Sequence, residues 1–182
     1  MPPRPFNFVT KPLHSATTNL AVVTVAGSAT LITKIIIFSA FSMGVGIYYE
    51  HLLTQIINLA SDQMIEMTVR LIINIVDRLY TNLADLLNHT NTIISNADIE
   101  YLTRLHGYLT PFLRHTSSLI ELLLRIGVYL EQFTAPPLSG LLTDSIARYH
   151  DTYTNFMQVY RFIEDLLGIA RENSPIEWTN LE

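Results

Sequence analysis

The side chains that could perform chemistry are scattered along the sequence and match no common catalytic pattern. The six histidines share no metal-ligand spacing; they are His14, His51, His89, His106, His115 and His150. There is no HExxH motif, no pair of ExxH sites and no Gly-x-x-x-x-Gly-Lys phosphate loop. The nearest approach to a polar cluster is His150 beside Asp151. We therefore expect no catalytic residue, no metal ligand, no cofactor and no small-molecule substrate.

Cysteine usage and one modification motif bear further on the chemistry. The chain has no cysteine, which excludes disulfides, thiolate catalysis and zinc sites with cysteine ligands. Asn88, His89 and Thr90 form an N-x-Thr sequon in a predicted interhelical loop, where a glycan could be attached in a secretory protein. Because such triplets also arise by chance, the sequon leaves glycosylation open.

Charge is distributed unevenly along the chain. Residues 1–49 contain Arg4, Lys11 and Lys34 and no acidic residue, whereas residues 50–182 contain 8 basic and 16 acidic residues. This acidic body argues against nucleic acid as a partner, because phosphate contacts require clustered lysine and arginine. Only 15% of all residues are charged and 49% are apolar, which is fewer charges than soluble domains usually carry. Part of the protein is therefore expected to face something other than water.

That part is predicted to be a transmembrane helix at about residues 31–49. Residues 19–49 carry Lys34 as their only charge, and 31–49 would form roughly 28 Å of helix, close to the thickness of a hydrocarbon core. Lys34 would reach the headgroups at one end, and Tyr48 with Tyr49 would lie in the aromatic belt at the other. A signal peptide has a shorter apolar core, and a buried soluble helix normally shows a polar stripe, which this segment lacks after Lys34.

Small residues in the same segment offer a surface for another helix. Ala40 and Gly44 are four residues apart, as are Ser42 and Gly46, and such pairs allow helices to approach closely in membranes. Ordinary small residues in a membrane helix explain the pattern equally well.

From Glu50 onward, apolar residues recur at the 3.5-residue spacing of coiled-coil-like helices. Three helices are predicted, over about 50–94, 97–133 and 141–170, with a kink or a short break at Pro111. The residues expected in the buried seams include Ile65, Val69, Ile72, Val76 and Leu79 in the first helix, Leu123 and Ile126 in the second, and Tyr153, Phe156 and Tyr160 in the third. Short connections favour antiparallel packing of these helices.

The predicted fold is all-α and has three parts. An extended proline-rich arm covers residues 1–18, a membrane anchor residues 19–49, and an antiparallel three-helix bundle residues 50–182. Because basic residues near a membrane helix mark its cytoplasmic side, the N-terminus is expected on the cytoplasmic or matrix side, with the bundle across the membrane.

The expected function is that of a non-catalytic accessory subunit of a large membrane complex, with other subunits and the lipid bilayer as partners. A respiratory-chain or ATP synthase assembly of the mitochondrial inner membrane is favoured, because an acid-free N-terminal segment suits import. The alternative is a viral or surface membrane protein whose bundle docks on a capsid or a partner, which a glycan at Asn88 would favour. Apolar residues outside the seams are expected to contact neighbouring subunits, above all Ile73 and Leu124, which point away from the predicted core; the others are Leu71, Ile75, Leu122 and Val128.

Overall fold

The computed structural model describes the backbone of residues 13–56 and 61–176, and the side chains of 30–52, 54–55 and 61–176. Within these ranges the chain forms long α-helices and one short 3-10 turn, with no strand, which confirms the all-α prediction. The helices are α1 (Leu13–Ile56), α2 (Asp62–Ile94), α3 (Ile99–Glu131) and α4 (Pro136–Leu167), and the 3-10 turn covers Arg171–Asn173.

α1 begins earlier in the chain than the sequence predicts. Residues 13–18, assigned to an extended arm, are helical, while residues 1–12 lie outside the described part of the chain. The last proline of the predicted arm is Pro12, so every residue of α1 has the backbone N–H group that a helix needs.

The helix predicted over residues 50–94 is split in two. α1 continues through Glu50 to Ile56, and α2 begins at Asp62. Ser61 caps the new helix, because its Oγ accepts a hydrogen bond from the backbone N–H of Met64 at 3.3 Å. Asp62 adds a negative charge in the first turn, where the helix dipole favours it. The Ser-Asp pair is thus the local signal of a break that the heptad pattern conceals.

α1 and α2 form an antiparallel hairpin, and so do α3 and α4. Lys34 of α1 lies 2.9 Å from Asp85 of α2, and the two residues are similarly far along the chain from the break between the helices. Residues 132–135 join α3 to α4. Pro136 and Pro137 follow in the first turn of α4, where a missing N–H group breaks no helical hydrogen bond.

The two hairpins pack side by side. α1 lies on α3 and α2 lies on α4, while among the described residues the backbones of α1 and α4 stay more than 8 Å apart and those of α2 and α3 approach at few points. The order around the bundle is therefore α1, α2, α4, α3. The predicted arrangement, an anchor followed by a bundle of three helices, differs from this one because α1 packs along the bundle as a fourth helix.

α1 joins the bundle through a seam of its own. Its buried residues follow the heptad spacing of the other helices; they are Leu31, Ile35, Phe38, Ser42, Val45 and Tyr49. The seam is hard to recognise in the sequence because most residues between its members are apolar as well. One side of α1 is therefore buried in the bundle although the helix has no polar stripe on its other side.

A chain of aromatic rings crosses the core. The ring centre of Phe38 lies 5.6 Å from that of Phe112, which lies 5.9 Å from that of Phe156 with the planes at 63°. These three rings connect α1, α3 and α4. The ten predicted seam residues are buried with them: Ile65, Val69, Ile72, Val76, Leu79, Leu123, Ile126, Tyr153, Phe156 and Tyr160.

α3 passes through Pro111 without the short break that the sequence allowed. Thr110, directly before the proline, donates its hydroxyl to the carbonyl of His106 one turn earlier at 2.8 Å. Proline deprives the carbonyl of Gly107 of its helical partner, and Gly107 is exposed, so water can satisfy that group.

Candidate functional site

The outward side of α1 exposes apolar side chains over several turns. Ile37 and Ile47 are 64% and 69% exposed, and no residue from Ile35 to Tyr49 carries a charge. We call this surface the outer face of α1; it consists of Ile36, Ile37, Ala40, Phe41, Met43, Gly44, Ile47 and Tyr48.

The exposed sides of the other helices carry charges among their apolar residues. On α2, Glu66 and Arg70 pair at 2.8 Å beside the exposed Leu71. On α3, the exposed Leu124 is followed by Arg125. Isolated exposed apolar residues are normal on soluble proteins, whereas a continuous apolar surface usually marks contact with lipid or protein. The outer face of α1 is therefore the candidate functional site.

The predicted anchor residues divide between this face and the bundle. Ala40, Gly44 and Tyr48 lie on the outer face, whereas Tyr49 is buried in the bundle. Lys34 reaches toward α2, where its ammonium group donates to Asp85 Oδ2 at 2.9 Å. The two tyrosines of the predicted aromatic belt therefore point in different directions.

The two pairs of small residues also divide. Ala40 and Gly44 are exposed on the outer face, while Ser42 is buried and Gly46 is half-buried toward α3. A methyl group added at Gly44 or Gly46 would meet no described atom within 4 Å. The packing inside the described chain therefore does not depend on either glycine, and the Ala40–Gly44 pair is free for an external contact.

α1 is long and apolar enough to cross a membrane. The stretch Thr30–Leu52 has 23 residues, and its most apolar 18-residue window has a mean hydropathy of 1.8, with 28% of that window buried in the bundle. A core helix of a soluble protein can have the same length and composition, so these properties define a possibility and not a topology.

Two grooves flank the outer face and carry different charges. The α1–α2 groove has a volume of about 410 Å³ and is lined by Lys34, Ile37, Phe38, Phe41, Arg78, Asn82, Asp85 and Leu86. The α1–α3 groove, on the other side, contains two carboxylates, Glu50 and Glu121, together with Arg125 and His115. Charged groups of α2 and α3 thus lie directly alongside the apolar part of α1.

A second polar feature is a buried carboxylate near the C-terminal end of α4. Glu164 is fully buried and accepts hydrogen bonds from Ser174 Oγ at 2.7 Å and from Arg161 Nη1 at 3.1 Å. His106 Nε2 lies 3.4 Å from the same carboxylate and 2.8 Å from the hydroxyl of Tyr160. Since Ser174 belongs to the segment after α4, this network fastens that segment to the bundle.

The network around Glu164 has a structural role, because its polar atoms are bonded to other groups of the protein. Burial raises the pKa of Tyr160 to about 12, although a hydrogen bond with Thr110, at 2.6 Å, acts in the opposite direction. Tyr160 is therefore a neutral hydroxyl at physiological pH. Its ring stacks on His106 with centres 4.9 Å apart, which further fixes the imidazole.

The histidine that sequence analysis placed in a polar cluster is at the surface. His150 Nδ1 lies 3.9 Å from Asp151 Oδ1, a loose contact between two exposed side chains. Among the described residues, no group of three or more His, Cys, Asp or Glu side chains could hold a metal ion. The prediction that the protein has no catalytic residue stays a prediction.

The N-x-Thr sequon lies inside α2 and not in the predicted loop. Asn88 is exposed, but Thr90 is buried and donates its hydroxyl to the carbonyl of Leu86 at 2.7 Å. Glycan acceptors are usually in surface loops, so a helical sequon with a buried threonine is poorly suited to modification.

Comparison of the chain with protein-family models, with curated proteins and with solved structures gives no match in any of the three. The function of the chain is therefore inferred from its own geometry.

Two groups beside the outer face escaped sequence analysis. Asp85 of α2 pairs with Lys34, and Arg78 lines the same groove, only because α1 and α2 form a hairpin. The Ser61–Asp62 helix start was the signal that could have predicted that hairpin, and with it the pairing of residues on α1 and α2.

Proposed function

We propose that this protein is a non-catalytic accessory subunit of a membrane protein complex, attached through the outer face of α1. The observation that carries the proposal is the run of exposed apolar side chains on that face, with no charge from Ile35 to Tyr49. Exposure of such a surface to water is unfavourable, so an apolar environment has to cover it.

The packing of α1 favours attachment with the helix lying in the membrane surface. One side of α1 is held by α2 and α3 while the opposite side is apolar, as in helices that bury one face between headgroups and acyl chains. Crossing of the bilayer by residues 31–49, as predicted, would require α1 to leave the bundle. Otherwise Asp85 and Arg125 would enter the hydrocarbon, which is costly for charged groups.

An accessory role is supported by how the interior uses its polar groups. The buried Glu164 is bonded by Arg161 and Ser174 and fastens the segment after α4. The groups best suited to chemistry therefore stabilise the bundle, and the surface feature that remains is a contact face.

The compartment stays a prediction. The mitochondrial inner membrane, and an N-terminus on the matrix or cytoplasmic side, rest on the acid-free charge pattern of residues 1–49. With α1 in the membrane surface, the bundle lies on that same side, whereas a spanning α1 places it across the membrane. A glycan at Asn88 would favour the alternative of a viral or surface protein, but the position of the sequon inside α2 gives that alternative no support.

Membrane attachment is tested by flotation of the full chain with phosphatidylcholine vesicles. The double substitution Ile37→Asn with Ile47→Asn should reduce vesicle binding by tenfold or more, since burying one isoleucine side chain contributes roughly 1.5 to 3 kcal/mol. The matched control is Leu141→Asn, because Leu141 is 56% exposed on α4, away from α1. Equal flotation of the wild type and the double variant would contradict attachment through this face.

Membership of a complex is tested by crosslinking in the native membrane. The chain has no cysteine, so Met43→Cys carries a single photo-crosslinker on the outer face and Gln158→Cys carries one on the exposed side of α4. Neighbouring subunits should be crosslinked from position 43. A monodisperse monomer in mild detergent, with no protein crosslinked from either position, would show that the subunit assignment is wrong.

A further inference from the structure

The α1–α2 groove brings two cations to one edge of the outer face. Lys34 and Arg78 line it together with a single carboxylate, that of Asp85. Its apolar side is formed by Ile37 and Phe41, which also belong to the outer face. The groove therefore joins a net positive charge to an apolar surface.

Both cations are available to an anion. The pair between Lys34 and Asp85 is exposed, with 42% and 62% of the two side chains accessible, and exposed ion pairs of this kind are weak and exchange readily. Arg78 is exposed, and its guanidinium forms no ion pair with any other residue that the structure describes. An arginine fork and a lysine ammonium are the groups that proteins use to bind phosphate oxygens.

We propose that the α1–α2 groove binds an anionic phospholipid, with its phosphate between Lys34 and Arg78 and its acyl chains along Ile37 and Phe41. This inference rests on the proposed membrane attachment, because the outer face must be in the bilayer for the acyl chains to lie there. With α1 in the membrane surface, Lys34 and Arg78 are at the level of the headgroups. The apolar wall distinguishes a lipid from free phosphate, which would gain nothing from Ile37 and Phe41.

The groove on the other side of α1 gives an internal contrast. The α1–α3 groove also borders the outer face, but Glu50 and Glu121 offset the single guanidinium of Arg125 there. An anionic headgroup would be repelled by those carboxylates. The charge distribution therefore assigns the lipid to the α2 side of the outer face.

The experiment compares binding of the full chain to vesicles of phosphatidylcholine alone and of phosphatidylcholine mixed with phosphatidylglycerol. The wild type should bind the mixed vesicles more tightly. Arg78→Gln should reduce that preference by roughly tenfold to a hundredfold, because it removes a charge-assisted hydrogen bond to the phosphate as well as the general attraction of a cation to an anionic surface. Lys34→Gln should reduce it by a similar factor. The matched control is Arg125→Gln, which removes the same charge at the opposite edge of the outer face and should change the preference much less.

Two further measurements separate the possible outcomes. Equal losses from Arg78→Gln and Arg125→Gln would indicate general surface charge and overturn the groove as a site. Inorganic phosphate, titrated into the protein in detergent, should not compete with short-chain phosphatidylglycerol. Competition at equal concentration would show that the groove binds a free anion and would overturn the lipid proposal. If the wild type bound neither vesicle, membrane attachment itself would be wrong, whereas binding to both without preference would refute the lipid site alone.

Discussion

Replacement of Phe38 by alanine tests whether α1 is a structural helix of the bundle. Phe38 is only 5% exposed, and its ring packs on Phe112, which packs in turn on Phe156. Loss of a buried phenylalanine ring typically lowers the free energy of unfolding by about 3 to 5 kcal/mol. Since each kcal/mol shifts the melting temperature of a domain of this size by roughly 2 to 4 °C, a fall of about 6 to 20 °C is expected.

The matched control is Phe41→Ala, one turn further along the same helix. Phe41 is 43% exposed on the outer face, so its loss should lower the free energy of unfolding by less than about 1 kcal/mol in detergent. Thermal unfolding of both variants is followed by far-ultraviolet circular dichroism of the full chain in the same mild detergent. A wild-type melting temperature for Phe38→Ala, or equal effects of the two substitutions, would refute the packing of α1 against the bundle.

Three further predictions concern the interior and the helix ends. Glu164→Gln should lower the free energy of unfolding by about 3 kcal/mol, because it breaks a buried charge pair. The control Asp165→Asn, at an exposed residue, should change it by less than about 1 kcal/mol, and equal effects in urea titrations would argue against the network around Glu164. Because the pKa of Tyr160 is raised to about 12, the folded state keeps a proton that the unfolded chain releases near pH 10, and the free energy of unfolding should fall between pH 10 and 12. The fall should be less steep in Tyr160→Phe, and an unchanged slope would contradict the burial of this hydroxyl. Gly168→Ala should destabilise the protein by about 1 kcal/mol, because Gly168 ends α4 with a φ of +72°, a backbone conformation that alanine disfavours. Gly140→Ala inside α4 should stabilise the protein, and melting temperatures that shift in the same direction for both variants would contradict this helix end.

The seams of α2, α3 and α4 could be predicted because charged residues separate their apolar positions. Ile72 lies between the half-buried Ile73 and the exposed Leu71, yet Arg70 and Asn74 mark the solvent side on both flanks. α1 offers no such contrast, since Ile36 and Ile37 follow the buried Ile35 directly. Periodicity is visible only when the two sides of a helix differ in chemistry.

The long-range contacts depend on pairings that one sequence does not reveal. Lys34 could be marked as an unusual charge in an apolar segment, but its partner Asp85 is separated from it by a helix break that only Ser61 and Asp62 signal. Similarly, the sequence predicts that Glu164 lies on the exposed side of α4, because it is charged. Its burial follows from Ser174 and the segment after α4, which folds back over it.

The orientation of α1 in the membrane is tested most directly by nitroxide labels and their accessibility to oxygen in vesicles. Single cysteine variants at Ile37, Ala40, Gly44 and Tyr48 sample the outer face, and one at Phe162, 53% exposed on α4, serves as the control. A helix that lies in the membrane surface predicts shallow and similar depths at all four positions, with the control in water. Depths that pass through a maximum near Ala40 would indicate a helix that crosses the bilayer, and four labels in water would contradict membrane attachment through α1.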